Sequence, residues 1–238
     1  MKLEEFKNII IEEGKIYNLE FNDKQIDNLY NYMIGIIDWN DKVNVTAIVD
    51  EKMFIVKHFI DSLTINGYIK GKERIIDIGT GGGFPGIPLK IFNENSKFTL
   101  IDSVNKKLNV IRDITSRMEI KNLEVIHARA EDLANKDEYR EKYDVATTRA
   151  VSNLSTILEY MLPFVKVGGM AVCMKGPNYI NELNEAKKAI EILGGKFEKI
   201  ETFNIDDSER NIIIIKKVKK TPENFPRGQG KPLKEPIR

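Results

Sequence analysis

Apolar positions in the first third of the chain recur at helical spacing. Leu3, Phe6, Ile9 and Ile10 form one such run, which Gly14 is expected to stop. Asp23 reads as the N-cap of a second helix carrying Ile26, Leu29, Tyr30, Met33 and Ile37 along one face. A third helix is predicted from about 50 to 65, and the stretch 39–46 between them is polar and irregular. From Lys72 the pattern changes to short β-branched runs alternating with longer amphipathic ones. Strands are predicted at 74–78, 97–101, 123–127, 143–147 and 170–174, with helices at 87–92, 106–118, 131–135, 154–164 and 178–193. That alternation requires right-handed crossovers and a parallel sheet with helices on both faces. The last two strand-like runs, 196–203 and 211–218, are joined by only a turn and must be antiparallel.

The predicted fold is therefore α/β, a doubly wound Rossmann-like sheet of the class I methyltransferase type with a C-terminal antiparallel strand pair. An N-terminal helical extension (1–70) precedes the main domain (71–220), and an extended tail rich in Pro and Gly follows (221–238). Composition agrees with one globular core, since 42% of residues are hydrophobic and 31% charged. The single cysteine, Cys173, excludes an internal disulfide and a cysteine-based metal cluster, and no metal is expected. No apolar stretch approaches the roughly 20 residues that span a bilayer, and the acidic start lacks the pattern of a secretory signal. A soluble, cytoplasmic monomer with no membrane partner is the expectation. The net charge of +1 hides a gradient: residues 1–70 hold 8 basic and 12 acidic residues (net −4), whereas 216–238 hold 8 basic and 2 acidic (net +6). Such a tail either meets a polyanion or is simply a solvated terminus.

The most informative segment is Asp77-Ile78-Gly79-Thr80-Gly81-Gly82-Gly83-Phe84-Pro85-Gly86, where a buried strand runs into glycines and a helix opens near Pro85. Glycines there allow a sharp turn and close approach of the backbone to a ligand. Two ligands compete. Gly81 to Gly86 match the dinucleotide fingerprint in form, with Asp102 the acid some 20 residues on. A carboxylate at Asp77, however, suits the ammonium of an amino-acid moiety and has no use beside a pyrophosphate. S-adenosylmethionine carries that moiety and a nicotinamide dinucleotide does not. Asp102 and Ser103 end the second strand, where the carboxylate can accept from ribose hydroxyls. Ala130, Glu131 and Asp132, after the third strand, offer an adenine edge a carboxylate, or only stabilise a helix start.

These residues resemble one family through nearly the whole chain, in Trp39-Asn40, Asn44-Val45-Thr46, His58-Phe59-Ile60-Asp61-Ser62, the glycine loop continued by Ile87-Pro88-Leu89, and Arg149-Ala150. It is the bacterial small-subunit ribosomal RNA guanine-N-7 methyltransferase family (RsmG, or glucose-inhibited division protein B, GidB). The resemblance implies S-adenosylmethionine as cofactor and 16S ribosomal RNA or the small ribosomal subunit as partner. Gly81 and Gly83 are cofactor-binding candidates from the glycine loop itself; the resemblance adds that Gly79 and Phe84 contact the cofactor and that Asp102 binds ribose. On the same basis Ala130 with Glu131 borders adenine and Arg149 joins the pocket. For Arg149 an ion pair fixing the strand end is the plain alternative. The tail from Pro226 to Ile237 looks like the basic tail of Gram-positive members.

The chemistry of methylation narrows the acceptor. A pyrimidine carbon needs a thiolate, and Cys173 lies in an apolar strand. An exocyclic adenine nitrogen goes with a proline-rich loop after strand four, where this chain has Thr147-Thr148-Arg149-Ala150. Guanine N-7 presents a lone pair and needs no general base. Candidates beside that reaction are His58, Arg149 and Lys175. His58 and Asp61 share a helix face and either border the base or make a packing hydrogen bond. Lys175 either meets a phosphate or is solvated, His127 is structural, and Trp39 anchors the helical cap. The rival functions are a methyltransferase for a small molecule or protein, a nicotinamide-dependent oxidoreductase, and a noncatalytic RNA-binding module.

Overall fold

The computed structural model describes residues 1–149 and 152–238; Ala150, part of the Arg149-Ala150 pair, lies outside the described residues. In chain order the elements are α1 (Leu3–Ile16), α2 (Asp23–Asn40), α3 (Glu51–Phe54), a π-helical turn (Ile55–Ile60), α4 (Asp61–Leu63), β1 (Arg74–Ile78), α5 (Gly86–Phe92), β2 (Lys97–Asp102), α6 (Asn105–Arg117) and β3 (Leu123–His127). There follow α7 (Ala130–Leu133), β4 (Tyr143–Arg149), α8 (Leu154–Met161), β5 (Val165–Lys175), α9 (Tyr179–Glu185), α10 (Lys187–Ile192), β6 (Gly195–Ile205), β7 (Ser208–Lys217) and α11 (Lys231–Lys234). The seven strands pair in the order β3-β2-β1-β4-β5-β7-β6. Strands β1 to β5 are parallel, while β7 runs antiparallel to both β5 and β6. The doubly wound sheet and its terminal antiparallel pair are as the alternation predicted.

Successive strand residues face opposite layers, so the sheet divides the core in two. Ile75, Phe98, Leu100, Val172 and Ile214 face one side, where they pack with Phe6, Ile10, Leu29, Met33 and Phe59 of the N-terminal helices and with α5 and α6. Ile76, Ile101, Ala146, Cys173 and Ile213 face the other, beneath Leu154, Ile157, Leu158 and Ile190. The N-terminal helices thus belong to one of the two layers over the sheet.

Four local expectations need correction. The first helix runs past Gly14 to Ile16, and the left-handed residue that ends it is Asn18 (φ 56°). Gly14 instead lets Phe21 approach, since a Cβ there would lie 2.3 Å from its ring. The cap of α2 is Asn22, not Asp23: its side chain accepts from the Gln25 amide (2.9 Å) while the Gln25 side chain accepts from the Asn22 amide (2.9 Å). The predicted helix 178–193 is broken at Ala186 into α9 and α10. The tail is not a free extended arm: it packs on the main domain and includes α11.

Candidate active site

The strand order reverses at β1, and a cleft of about 250 Å³ opens there at the carboxyl ends of β1, β2 and β3. Ile78, Gly79, Ile101, Asp102, Ser103, Arg129, Ala130, Glu131 and Tyr160 line it. Two larger hollows lie elsewhere, of about 430 Å³ beside Arg74, Lys97 and Leu123 at the amino ends of the strands and about 470 Å³ beside Arg140 and Lys220. Neither touches the glycine loop. Asp102 organises the cleft: its Oδ2 accepts from the Gly81 amide (2.8 Å) and its Oδ1 from the Val104 amide (2.8 Å). Gly81 has φ +57° with open space where a Cβ would stand, so the loop can turn there and leave room above it.

Asp77 lies behind the loop, fully buried. Its Oδ2 accepts from Thr80 Oγ1 (2.6 Å) and the Gly86 amide (2.9 Å), while Oδ1 has no hydrogen-bond partner among the described residues. Burial pushes its carboxyl up to about 7, against the pull of those hydrogen bonds and of Arg149. Gly86 must be glycine for this packing, because a Cβ would lie 2.2 Å from Leu100 and 2.8 Å from the Asp77 carboxylate. The loop is also tied to the N-terminal layer, since Tyr32 of α2 donates to the Gly82 carbonyl (2.8 Å).

A second constellation adjoins the glycine loop. Arg149 donates to the Lys57 carbonyl (2.8 Å), to Asp61 Oδ2 (3.2 Å) and to His58 Nδ1 (2.9 Å), and its guanidinium lies 5.3 Å over the Phe84 ring. His58 also stacks on Phe84, 4.3 Å from its ring centroid and nearly parallel to it. A guanidinium only donates, so His58 Nδ1 accepts and its Nε2–H donates to Thr46 Oγ1 (2.8 Å). Burial, reinforced by Arg149, holds the imidazole down to about 3 and hence neutral. The π-helical turn gathers the Lys57 carbonyl, His58 and, at its end, Asp61 around one guanidinium.

The chain matches the family described as rRNA small subunit methyltransferase G over residues 25–213. A protein named ribosomal RNA small subunit methyltransferase G from Alkaliphilus oremlandii is 44% identical over 240 residues, covering 98% of this chain and 100% of that one. Its namesake from Clostridium novyi is 47% identical over 236 residues, covering 98% and 97%. This chain belongs to that family. Among solved structures, a SAM-dependent O-methyltransferase from Thermotoga maritima superposes with a TM-score of 0.53 at 17% identity, covering 79% of this chain and 72% of the other. That likeness shows the shared methyltransferase fold.

Within this family member, the residues singled out by sequence fall into three groups. Gly79, Asp102, Ser103, Ala130 and Glu131 line the cleft. Asp77, Gly81 and Gly83 shape the loop, while the side chains of Phe84 and Arg149 stand behind it in the aromatic cluster. Lys175 is not a solvated cation: it is 8% exposed, donates to the Ser152 carbonyl (2.5 Å) and pairs with Glu182 (2.7 Å). His127 is held by the Ser103 carbonyl (3.1 Å), and Trp39 donates to Asp113 (2.7 Å), an anchor in the cap. Cys173 is buried and its thiol is pushed up to about 12. Sequence reasoning missed Tyr160, whose hydroxyl burial holds near 12, because inside an apolar helix pattern it reads as core. It also missed Tyr32 as the clamp on Gly82.

The neutral His58 has a consequence for stability. An unfolded histidine takes its proton near 6.5 and this one only near 3, so between those values stability is lost as pH falls. Asp77 acts oppositely: folded it binds a proton near 7, unfolded near 3.8, so stability rises as pH falls. The two largely offset in the native protein. His58→Gln, which keeps an acceptor and a donor, removes only the first, so its stability relative to the native chain should rise as pH drops from about 6.5 to about 4. Urea midpoints across this range check it, and a difference independent of pH contradicts it.

Proposed function

We propose that the cleft binds S-adenosylmethionine and that the chain methylates N-7 of a guanine in 16S ribosomal RNA, acting in the cytoplasm where small subunits are made. The observation that carries this is the pairing of Asp102 and Glu131 across one cleft at the topological switch point, in a member of this methyltransferase family. The residues present fit the donor. Asp102 retains lone pairs for the ribose hydroxyls, Glu131 can accept from the adenine amine, and the open space above Gly81 admits the amino-acid end. When bound, the donor supplies a methyl group on a positively charged sulfur.

The choice of N-7 as acceptor is supported by what three of the candidate side chains are committed to. Both nitrogens of His58 are engaged, Lys175 is committed to Glu182 and Ser152, and the Cys173 thiol is buried and protonated. None of these three is free to take a proton or form a covalent adduct. A guanine N-7 lone pair requires neither, because no proton leaves the nitrogen it attacks with; the protein need only align it and exclude water. His58 is thus a positioning residue for Arg149 and Phe84. The base would leave its stack to reach the cleft, with phosphate contacts setting register.

Methyl-labelled donor incubated with unmodified 16S RNA and with small subunits tests this. Borohydride reduction followed by aniline should cleave the labelled RNA at one guanine, as 7-methylguanine requires. Label without cleavage would place the methyl on another atom. Label absent from both RNA substrates would point to a small-molecule or protein acceptor.

A further inference from the structure

We propose that the C-terminal segment is a strap that sets the adenosine end of the cleft and thereby raises donor affinity. The inference rests on the placement of adenosine against Glu131 proposed above. Arg140 begins the strap by donating to the carbonyls of Thr221, Pro222 and Phe225 (3.1, 3.1 and 2.9 Å). Arg227 then grips Glu159, a carboxylate with no solvent exposure, through Nε (2.9 Å), Nη2 (2.7 Å) and its own backbone amide (2.8 Å). Further on, Thr156 donates to the Pro232 carbonyl (2.9 Å). One cation of the basic tail is therefore consumed inside the protein, where it cannot meet a phosphate.

Between these anchors the strap touches the cleft. The Gly230 amide donates to Oε1 of Glu131 (3.0 Å), and the neighbouring Gln229 side chain donates to Asp132. Glu131 is 5% exposed and lines the cleft, and its Oε2 has no hydrogen-bond partner among the described residues. One oxygen is thus held by the strap while the other remains for a ligand. A flexible carboxylate fixed in this way has lost its rotamer freedom before the ligand arrives, which favours binding. Gly230 has φ +71°, the left-handed conformation that aims its amide inward and that other residues rarely adopt.

Linkage makes the coupling reciprocal: if the strap tightens donor binding, donor binding must tighten the strap. In the full-length protein, saturating S-adenosylhomocysteine should slow amide hydrogen exchange at Gly230 and its neighbours by about tenfold. A chain ending at Gly228 keeps the Arg227–Glu159 grip but loses the Gly230 amide, and should bind S-adenosylhomocysteine about tenfold more weakly by calorimetry. Glu131→Ala should weaken binding in the full chain, and adding the truncation to it should cost little more. Unchanged exchange at Gly230 on ligand saturation overturns the strap, as does a truncation that alters only affinity for RNA while Glu131→Ala still weakens donor binding. Full donor affinity in Glu131→Ala instead overturns the placement of adenosine, and the strap's role with it.

Discussion

Asp102→Ala is expected to weaken binding of S-adenosylhomocysteine by about 30- to 100-fold, as befits a carboxylate making several charge-assisted hydrogen bonds. The residue does two things at once. It holds the glycine loop through the Gly81 amide and the next turn through the Val104 amide, both at 2.8 Å. It also stands at the tip of β2 facing the cleft, where ribose hydroxyls can donate to it. Removing it deprives the ligand of an acceptor and releases a loop containing three glycines at positive φ, Gly79, Gly81 and Gly83, which is free to wander once untied. Asp102→Asn, with one acceptor oxygen, should fall between. Calorimetric titration measures the affinities directly, and native affinity in the alanine variant would contradict the assigned role.

Arg149→Ala should lower the thermal midpoint by about 6–12 °C, from a loss of about 3 kcal/mol. The guanidinium is the chief partner of Asp61, whose side chain is 5% exposed and whose other cation among the described residues is Arg210 at 3.3 Å. Burial already pushes the Asp61 carboxyl up, and the two arginines pull it back. Without Arg149 that carboxylate, the Lys57 carbonyl and His58 Nδ1 all lose their donor together, and Phe84 loses the cation over its ring. Arg149→Lys should recover less than half of the loss, because one ammonium cannot span three acceptors and stack as well. Adding Asp61→Asn to the alanine variant should restore part of it by removing the stranded charge. Scanning calorimetry checks all three, and a lysine variant as stable as the native chain would contradict the network.

The legible parts of the fold were those written in local pattern. Strand β3 has the bounds that its alternation predicts, and β1 likewise, because β-branched runs between turn residues have no helical reading. Strand β5 begins at Val165, five residues before the expected Met170: Val165 pairs with Tyr143 of β4, and an irregularity at 166–169, which includes Gly168 and Gly169, precedes the regular pairing from Met170. The cleft acids were legible because a strand end followed by an acid is a local signal. What stayed hidden was nonlocal. Arg227 and Glu159 are 68 positions apart, so the tail's proline and glycine content read as extended chain. The pairing of Lys175 is not legible locally, because Lys175 ends β5 while Glu182 sits on the following helix α9. His58 and Asp61 were paired by spacing, but their common partner is roughly 90 residues away and the π-helical turn leaves no mark on periodicity.

Nucleoside mass spectrometry of 16S RNA from cells lacking the gene, and from the same cells supplied with the native chain or with Asp102→Ala, bears most directly on guanine N-7 methylation from this cleft. One 7-methylguanosine should vanish with the gene, return with the native chain and fail to return with Asp102→Ala. Its persistence without the gene, or its full return with the variant, would contradict the assignment.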